Sequence, residues 1–159
     1  MANLRVIAPE AEVAVWHQQT QPGAAVPADC ECHLYSLEEA LGFQPDAALV
    51  CSPSSLHVDN ALPFAQTGVH LLVEKPLALH EVEARKLAGT AVSNGLILQV
   101  GHQERFVAKA MGMFRIEEPP LSLESVRYSP PSPEGRAGDV SVIWDLMIHD
   151  LDLAGCLRS

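Results

Sequence analysis

Across residues 12–100 one pattern repeats: a short apolar run, then an amphipathic stretch, then another apolar run. This alternation constrains the fold more than any other feature of the chain. Apolar runs of strand length between turn signals suit strands covered on both sides, and the amphipathic stretches supply the helices that cover them. The chain therefore reads as α/β, with a parallel sheet and helices on both of its faces. Residues 12–17 (EVAVWH) read as a strand and residues 32–35 as a very short second one. Ser36-Leu37-Glu38-Glu39 is a capping-box signature that opens a short helix, which Gly42 closes. Residues 47–51 (AALVC) form the next strand, and Ser54 or Ser55 caps a helix running to Gly68, kinked at Pro63. Residues 69–73 are another strand. Residues 80–94 are a helix with Val82, Ala84, Leu87, Ala88, Ala91 and Val92 on its apolar face and Gly95 as its stop. Residues 96–100 are the last strand of the series.

The rhythm then breaks. Glu117-Glu118-Pro119-Pro120 reads as a connector, residues 121–128 alternate as a strand with one solvated face would, and residues 129–138 are a Pro/Gly/Ser-rich loop. Asp139 caps a helix running to about Leu157. Two regions result: 1–118, and 119–159 as the beginning of a second α/β domain.

Composition excludes several functions. The 159 residues carry a net charge of −10 with no basic cluster, which argues against nucleic acid or an anionic membrane surface as partner. No apolar run approaches the roughly 20 residues that span a bilayer, and residues 1–9 lack a signal-peptide pattern, so the expected location is the cytoplasm. Cys30, Cys32, Cys51 and Cys156 are scattered and read as reduced thiols. Cys30-x-Cys32-His33 lacks the usual zinc spacing.

Three clusters carry chemistry. Ser52-Pro53-Ser54-Ser55-Leu56-His57 lies where a buried strand ends and a helix begins, the place where open α/β sheets bind ligands and helix N-termini attract anions. The plain alternative is an ordinary serine-capped turn. Glu74-Lys75-Pro76 occupies the same end of the neighbouring strand, where Lys75 could polarise a hydroxyl or carbonyl or merely form a surface ion pair. In Asp145-Leu146-Met147-Ile148-His149-Asp150-Leu151-Asp152, the spacing of Asp145, His149 and Asp152 puts all three on one helix face amid apolar neighbours. A histidine base oriented by a carboxylate, a metal pair and a satisfied core histidine each fit that spacing.

These runs resemble a known family. Val50-Cys51-Ser52-Pro53-Ser54-Ser55-Leu56-His57, then Val69-His70-Leu71-Leu72-Val73-Glu74-Lys75-Pro76, Gly101-His102-Gln103-Glu104-Arg105-Phe106 and the Asp145–Asp152 run are similar, in order and separation, to motifs of the glucose–fructose oxidoreductase / inositol dehydrogenase (Gfo/Idh/MocA) family. The resemblance implies a Rossmann-type domain binding NAD or NADP, then an α/β domain shaping the pocket for a sugar or polyol. It implies that Ser52, Pro53 and His57 line the cofactor, that Glu74 sits near the nicotinamide ribose, and that Lys75 contacts both nicotinamide and the reacting hydroxyl. The Lys75–Pro76 bond would be cis and Arg105 would lie at the junction of cofactor and substrate. His149 would accept the hydroxyl proton, with Asp145 and Lys75 completing the catalytic group. It also suggests a homo-oligomer built through the family's open sheet.

The sequence departs from the family in two places. No G-x-G-x-x-G set occurs in it, and Gln18-Gln19-Thr20 follow the first strand where an acidic residue would hold the ribose of NAD. The expected Rossmann-type sheet is therefore incomplete, lacking its first strand and glycine-rich loop. A core retained without catalysis, as an interaction module, is the alternative to an oxidoreductase. A metal-dependent hydrolase using Asp145, His149 and Asp152 is the third option.

Overall fold

The computed structural model describes residues 2–17, 30–115, 118, 120–128 and 141–157. The chain falls into two compact units, Met1–Asp46 and Ala47–Ser159.

In the first unit, helix α1 (Ala2–Ile7) precedes strands β1 (Ala14–Trp16) and β2 (Cys32–Leu34), which pair in parallel with Val15 opposite His33. The expected strand at 12–17 is thus shorter by residues at both ends. Helix α2 (Leu37–Gly42) starts as its capping signature requires: Ser36 Oγ accepts the Glu39 N–H at 3.1 Å. The Glu39 carboxylate reaches back to the Tyr35 N–H at 2.7 Å, one residue before the cap. Gly42 does not close this helix by its own conformation. Phe43 caps it with right-handed geometry, and the left-handed position falls to Gln44 at φ 53°. Beside β2, His33 Nδ1 lies 3.1 Å from His17 Nε2, and Cys30 Sγ lies 3.5 Å from His33 Nε2.

The second unit holds strands β3 (Ala47–Val50), β4 (His70–Glu74) and β5 (Leu98–Gly101), all parallel and in the order β3-β4-β5. Leu49 faces Leu72 in register, and Glu74 faces Gly101. A 3₁₀ turn (Ser54–Leu56) leads into α3 (His57–Gln66), and α4 (Glu81–Ser93) joins β4 to β5. Val50, Leu71 and Val73 from the sheet are buried, as are Val58, Ala61, Phe64 and Ala65 of α3 and Leu87 and Ala91 of α4. Side chains alternate across a strand, so Leu49 (57 % exposed) and Leu72 (36 %) point the other way. Helix α3 packs on β3 and β4, and α4 packs beside α3. Helices on both faces were expected, yet within this unit two crossovers stepping in one direction put both helices on one side.

Local expectations differ at three further points. Neither Ser54 nor Ser55 caps α3; the 3₁₀ turn precedes it, and the cap position is Leu56, without a side-chain bond. On α4 the half-buried and buried stripe is Ala84, Leu87, Ala88 and Ala91, at strict i, i+3, i+4, i+7 spacing. Val82 and Val92 lie off that stripe and are 79 % and 80 % exposed. Residues 121–128 form no strand: alternation alone does not make one, and no ladder partner is present among the described residues. The loop at 129–138 and the cap at Asp139 lie outside the described residues.

Helix α5 (Glu104–Ala110) follows β5 directly, ahead of the connector. The last helical stretch begins with a π-helical segment (Ile143–Met147) and continues as α6 (Ile148–Cys156). No helix among the described residues is long and apolar enough to cross a membrane.

Candidate functional site

Three strand ends and one helix build the site, all within the second unit. The carboxyl ends of parallel strands are where the backbone turns outward, so side chains just past β3, β4 and β5 share one rim. Past β3 come Ser52, Pro53 and His57; past β4 come Lys75 and Pro76; past β5 come His102, Gln103 and Arg105.

His57 is 1 % exposed. Its Nδ1 lies 2.7 Å from the Pro76 carbonyl oxygen and its Nε2 lies 2.9 Å from that of Ser52. The ring therefore ties the turn after β3 to the turn after β4, and its polar atoms are engaged by the backbone. The Lys75–Pro76 peptide is cis. Pro53 is exposed at the rim.

Glu74 folds over the end of β5. Its carboxylate accepts the Gln103 side-chain N–H at 3.1 Å and the Lys75 backbone N–H at 3.3 Å. A Cβ at Gly101 would stand 3.2 Å from the Glu74 carboxyl carbon, close enough that the carboxylate would have to give by a few tenths of an ångström. Beside it, Cys51 has its thiol pKa pushed up by burial and by the Glu74 charge.

Lys75 points to the π-helical segment. Its Nζ donates to the Asp145 backbone carbonyl at 2.8 Å and to Asp145 Oδ1 at 3.1 Å. A π turn widens the helix and loosens the regular i to i+4 ladder, which is how a carbonyl inside a helix can serve a side chain. The ammonium is thereby held at a fixed point, mostly out of solvent, with 20 % of its side chain exposed.

Asp145, His149 and Asp152 do not converge on one group. Asp145 goes to Lys75. Asp152, with a side chain only 9 % exposed, takes both arms of Arg105, through Nε at 2.7 Å and through Nη2. The His102 Nε2 lies 3.6 Å from the same carboxylate. The paired Arg105 guanidinium has its pKa raised by the Asp152 bond, and the same bond, foremost among its causes, lowers that of Asp152. Arg127 similarly grips Asp150 at 3.0 Å, with Glu104 at 3.6 Å. These two Arg–Asp pairs fasten α6 to α5 and to the 121–128 segment.

His149 makes no hydrogen bond through Nδ1 among the described residues, and that atom is buried. Burial, and next the Lys75 charge, hold its pKa below the ordinary histidine value, so the neutral, proton-accepting ring is favoured. Ser52 Oγ and His102 Nδ1 are likewise buried without a partner among the described residues. Buried polar atoms are normally satisfied, so these three, two just past strand ends and one on α6, are places where a ligand could bond. Among the described residues, no group of three or more His, Cys, Asp or Glu side chains is arranged to hold a metal ion.

Sequence reasoning missed His102, Gln103, Arg127 and Asp150. The first two were findable: they directly follow a buried strand, within the same run that drew attention to Arg105. The Arg127–Asp150 pair has no sequence signal, because it joins residues from segments whose packing no periodicity reports.

The residues 6–102 match the model of an oxidoreductase family with an NAD-binding Rossmann fold, Gfo/Idh/MocA. That match covers more than half of the chain. The chain belongs to the Gfo/Idh/MocA family. It is 38 % identical over 141 residues to UDP-N-acetylglucosamine 3-dehydrogenase from Acidithiobacillus ferrooxidans, covering 87 % of this chain and 44 % of that protein. A solved structure of the UDP-N-acetylglucosamine 3-dehydrogenase from that organism superposes with a TM-score of 0.70 at 33 % identity, over 91 % of this chain and 47 % of the other. A myo-inositol dehydrogenase of Streptomyces leeuwenhoekii is 32 % identical over 129 residues, 74 % of this chain and 38 % of its own. The WlbA dehydrogenase from Bordetella pertussis, solved with NADH and UDP-GlcNAcA, superposes with a TM-score of 0.59 at 26 % identity, over 67 % of this chain and 32 % of the other. The chain thus spans less than half the length of these relatives. Both parallel sheets lie within the residues matched to the family's NAD-binding Rossmann fold, and Ser52 Oγ and His102 Nδ1, past the ends of β3 and β5, are open polar atoms that such a cofactor could satisfy. The pyrophosphate end has no glycine set to cradle it in this sequence.

Proposed function

We propose that this chain carries the nicotinamide-facing and proton-transferring part of an NAD(P)-dependent dehydrogenase acting on a sugar or polyol hydroxyl. The carrying observation is Lys75: its ammonium stands at the mouth of β4, fixed by two oxygens of Asp145, in the same unit as the open Nδ1 of His149. Residues 1–118 supply the cofactor-binding domain in this reading and residues 119–159 begin the substrate domain. A bound nicotinamide supplies the hydride acceptor. The chain's own residues do the rest: His149 takes the hydroxyl proton at Nδ1, and Lys75 stabilises the negative charge that develops on the substrate oxygen. Asp145 orients Lys75. Ser52, Pro53 and Glu74 line the cofactor, His57 holds the two loops that carry them, and Arg105 shapes the junction through its grip on Asp152. The 38 % identity to a UDP-N-acetylglucosamine 3-dehydrogenase supports a nucleotide-linked sugar as substrate.

The missing G-x-G-x-x-G set favours a second reading, a non-catalytic interaction module that keeps the family's core but not its cofactor site. NAD reduction by the purified chain with UDP-N-acetylglucosamine and with myo-inositol separates the two. Turnover abolished by Lys75→Ala and by His149→Ala supports the dehydrogenase. Turnover unaffected by either variant would sink the assigned roles, and a chain that neither binds NADH nor turns over any sugar or polyol would favour the second reading.

A further inference from the structure

His102 takes no part in the proposed proton transfer, yet its surroundings are specific. It is the first residue past β5, on the rim that also carries Glu74 and Lys75. Its side chain is only 15 % exposed, and its Nε2 lies 3.6 Å from Asp152 Oδ1, a carboxylate itself held by both arms of Arg105. The other ring nitrogen, Nδ1, is buried and has no hydrogen-bond partner among the described residues. A carboxylate beside Nε2 favours the tautomer with its proton on that nitrogen, which leaves a lone pair on Nδ1. Lys75, Glu74, Arg105 and Asp152 all lie near enough for their charges to act on this ring, and the ring in turn acts on His149. A buried acceptor, tautomerically fixed and sited among those groups, lacks only a donor.

We infer that His102 is a ligand-binding residue of this site, whose Nδ1 accepts a hydrogen bond from an N–H or O–H donor on the bound molecule. The inference rests on the dehydrogenase reading of the same site. Two sources present that chemistry, the carboxamide of a nicotinamide and a hydroxyl of a sugar. Asp152 and Arg105 then act through His102, fixing its tautomer and its orientation.

Side-chain geometry gives a sharp test. The amide group of asparagine falls near the position of a histidine Nδ1, and that of glutamine near Nε2. NADH binding, and UDP-N-acetylglucosamine binding in the presence of NADH, are titrated for the wild-type chain and for His102→Asn, His102→Gln and His102→Phe. The expected result is near wild-type affinity for His102→Asn and about tenfold weaker binding for His102→Gln and His102→Phe, the size of one lost hydrogen bond in a buried site. A loss seen with NADH alone assigns the carboxamide as donor, and a loss seen only with the sugar nucleotide assigns a hydroxyl. Nitrogen-15 spectra of the histidine rings give a second readout: the Nδ1 resonance of His102 should move when that ligand is added. Ligand addition that shifts His149 but leaves His102 unmoved, with all three variants binding as wild type, would overturn the inference and leave the dehydrogenase reading intact. A wild-type chain that binds neither molecule would overturn both.

Discussion

Lys75 and Gly101 show how single residues set this site. Because Lys75 is anchored by Asp145, removing its ammonium removes the only cation the described residues place at that point between β4 and the π turn. Lys75→Ala should lower turnover by about two to four orders of magnitude, as loss of a group acting on developing charge does, while circular dichroism stays unchanged. Gly101→Ala makes a different prediction. The new Cβ meets the flexible end of Glu74, not backbone, so the fold should lose no more than about 1 kcal/mol in a urea melt. Glu74 must move, however, and its bond to Gln103 should be lost, measurable as weaker NADH binding. The residues flagged from sequence alone at the strand ends, Ser52, His57, Glu74 and Lys75, do gather at one rim, because strand ends follow directly from where apolar runs stop. Partner choice was not legible. Nothing in the sequence says that Asp145 serves Lys75 rather than His149, or that Asp152 serves Arg105, since those choices are made by packing across segments.

Among the elements, the strands and long helices were readable because burial imposes a period, and β3, β4, β5 and α4 keep the expected order within a residue or two at each end. What failed lacked a periodic signature. A π segment of five residues, Ile143–Met147, cannot be told from an α-helix by an apolar pattern that short. Residues 121–128 alternate but have no ladder partner among the described residues, and Gln44 rather than a glycine takes the left-handed turn after α2. The capping box at α2 was readable from four letters, and it yields a prediction: Ser36→Ala removes the acceptor for the Glu39 N–H and should cost about 1 kcal/mol in a urea melt. The π turn yields another. Since one of the two Lys75 anchors is the Asp145 main-chain carbonyl, Asp145→Ala should leave NADH binding within about threefold of wild type, much less affected than by Lys75→Ala. A loss as large as that of Lys75→Ala would mean the carboxylate alone holds the ammonium.

For the whole molecule, the charge network fixes how stability depends on pH. Burial holds the pKa of His102 and His149 below their ordinary value of 6.5, so the fold binds fewer protons there than the unfolded chain does. Their contribution is complete above pH 6.5 and is lost as pH falls through the depressed folded values. Asp150 and Asp152, depressed chiefly by Arg127 and Arg105, contribute fully above their ordinary value of 3.8 and lose that contribution on further acidification. Both arginines are partly open to solvent, so each pair contributes no more than about 1 kcal/mol. Urea midpoints should therefore fall in two stages on acidification, with the first stage reduced in His102→Phe; a flat profile between about pH 7 and pH 5 would contradict the assigned histidine environments. At the same scale, β1 and β3 each have one edge without a ladder partner among the described residues, and Leu49 and Leu72 stand on an open sheet face. Open edges and apolar faces invite association, so light scattering of the purified chain should rise with concentration.

Whether these strand ends hold a nicotinamide cofactor is decided by a fluorescence titration of the purified chain with NADH and NADPH. Saturable binding in the micromolar range, weakened in Lys75→Ala, is expected. Emission that changes only linearly with added nucleotide, alike in wild type and variant, would contradict it.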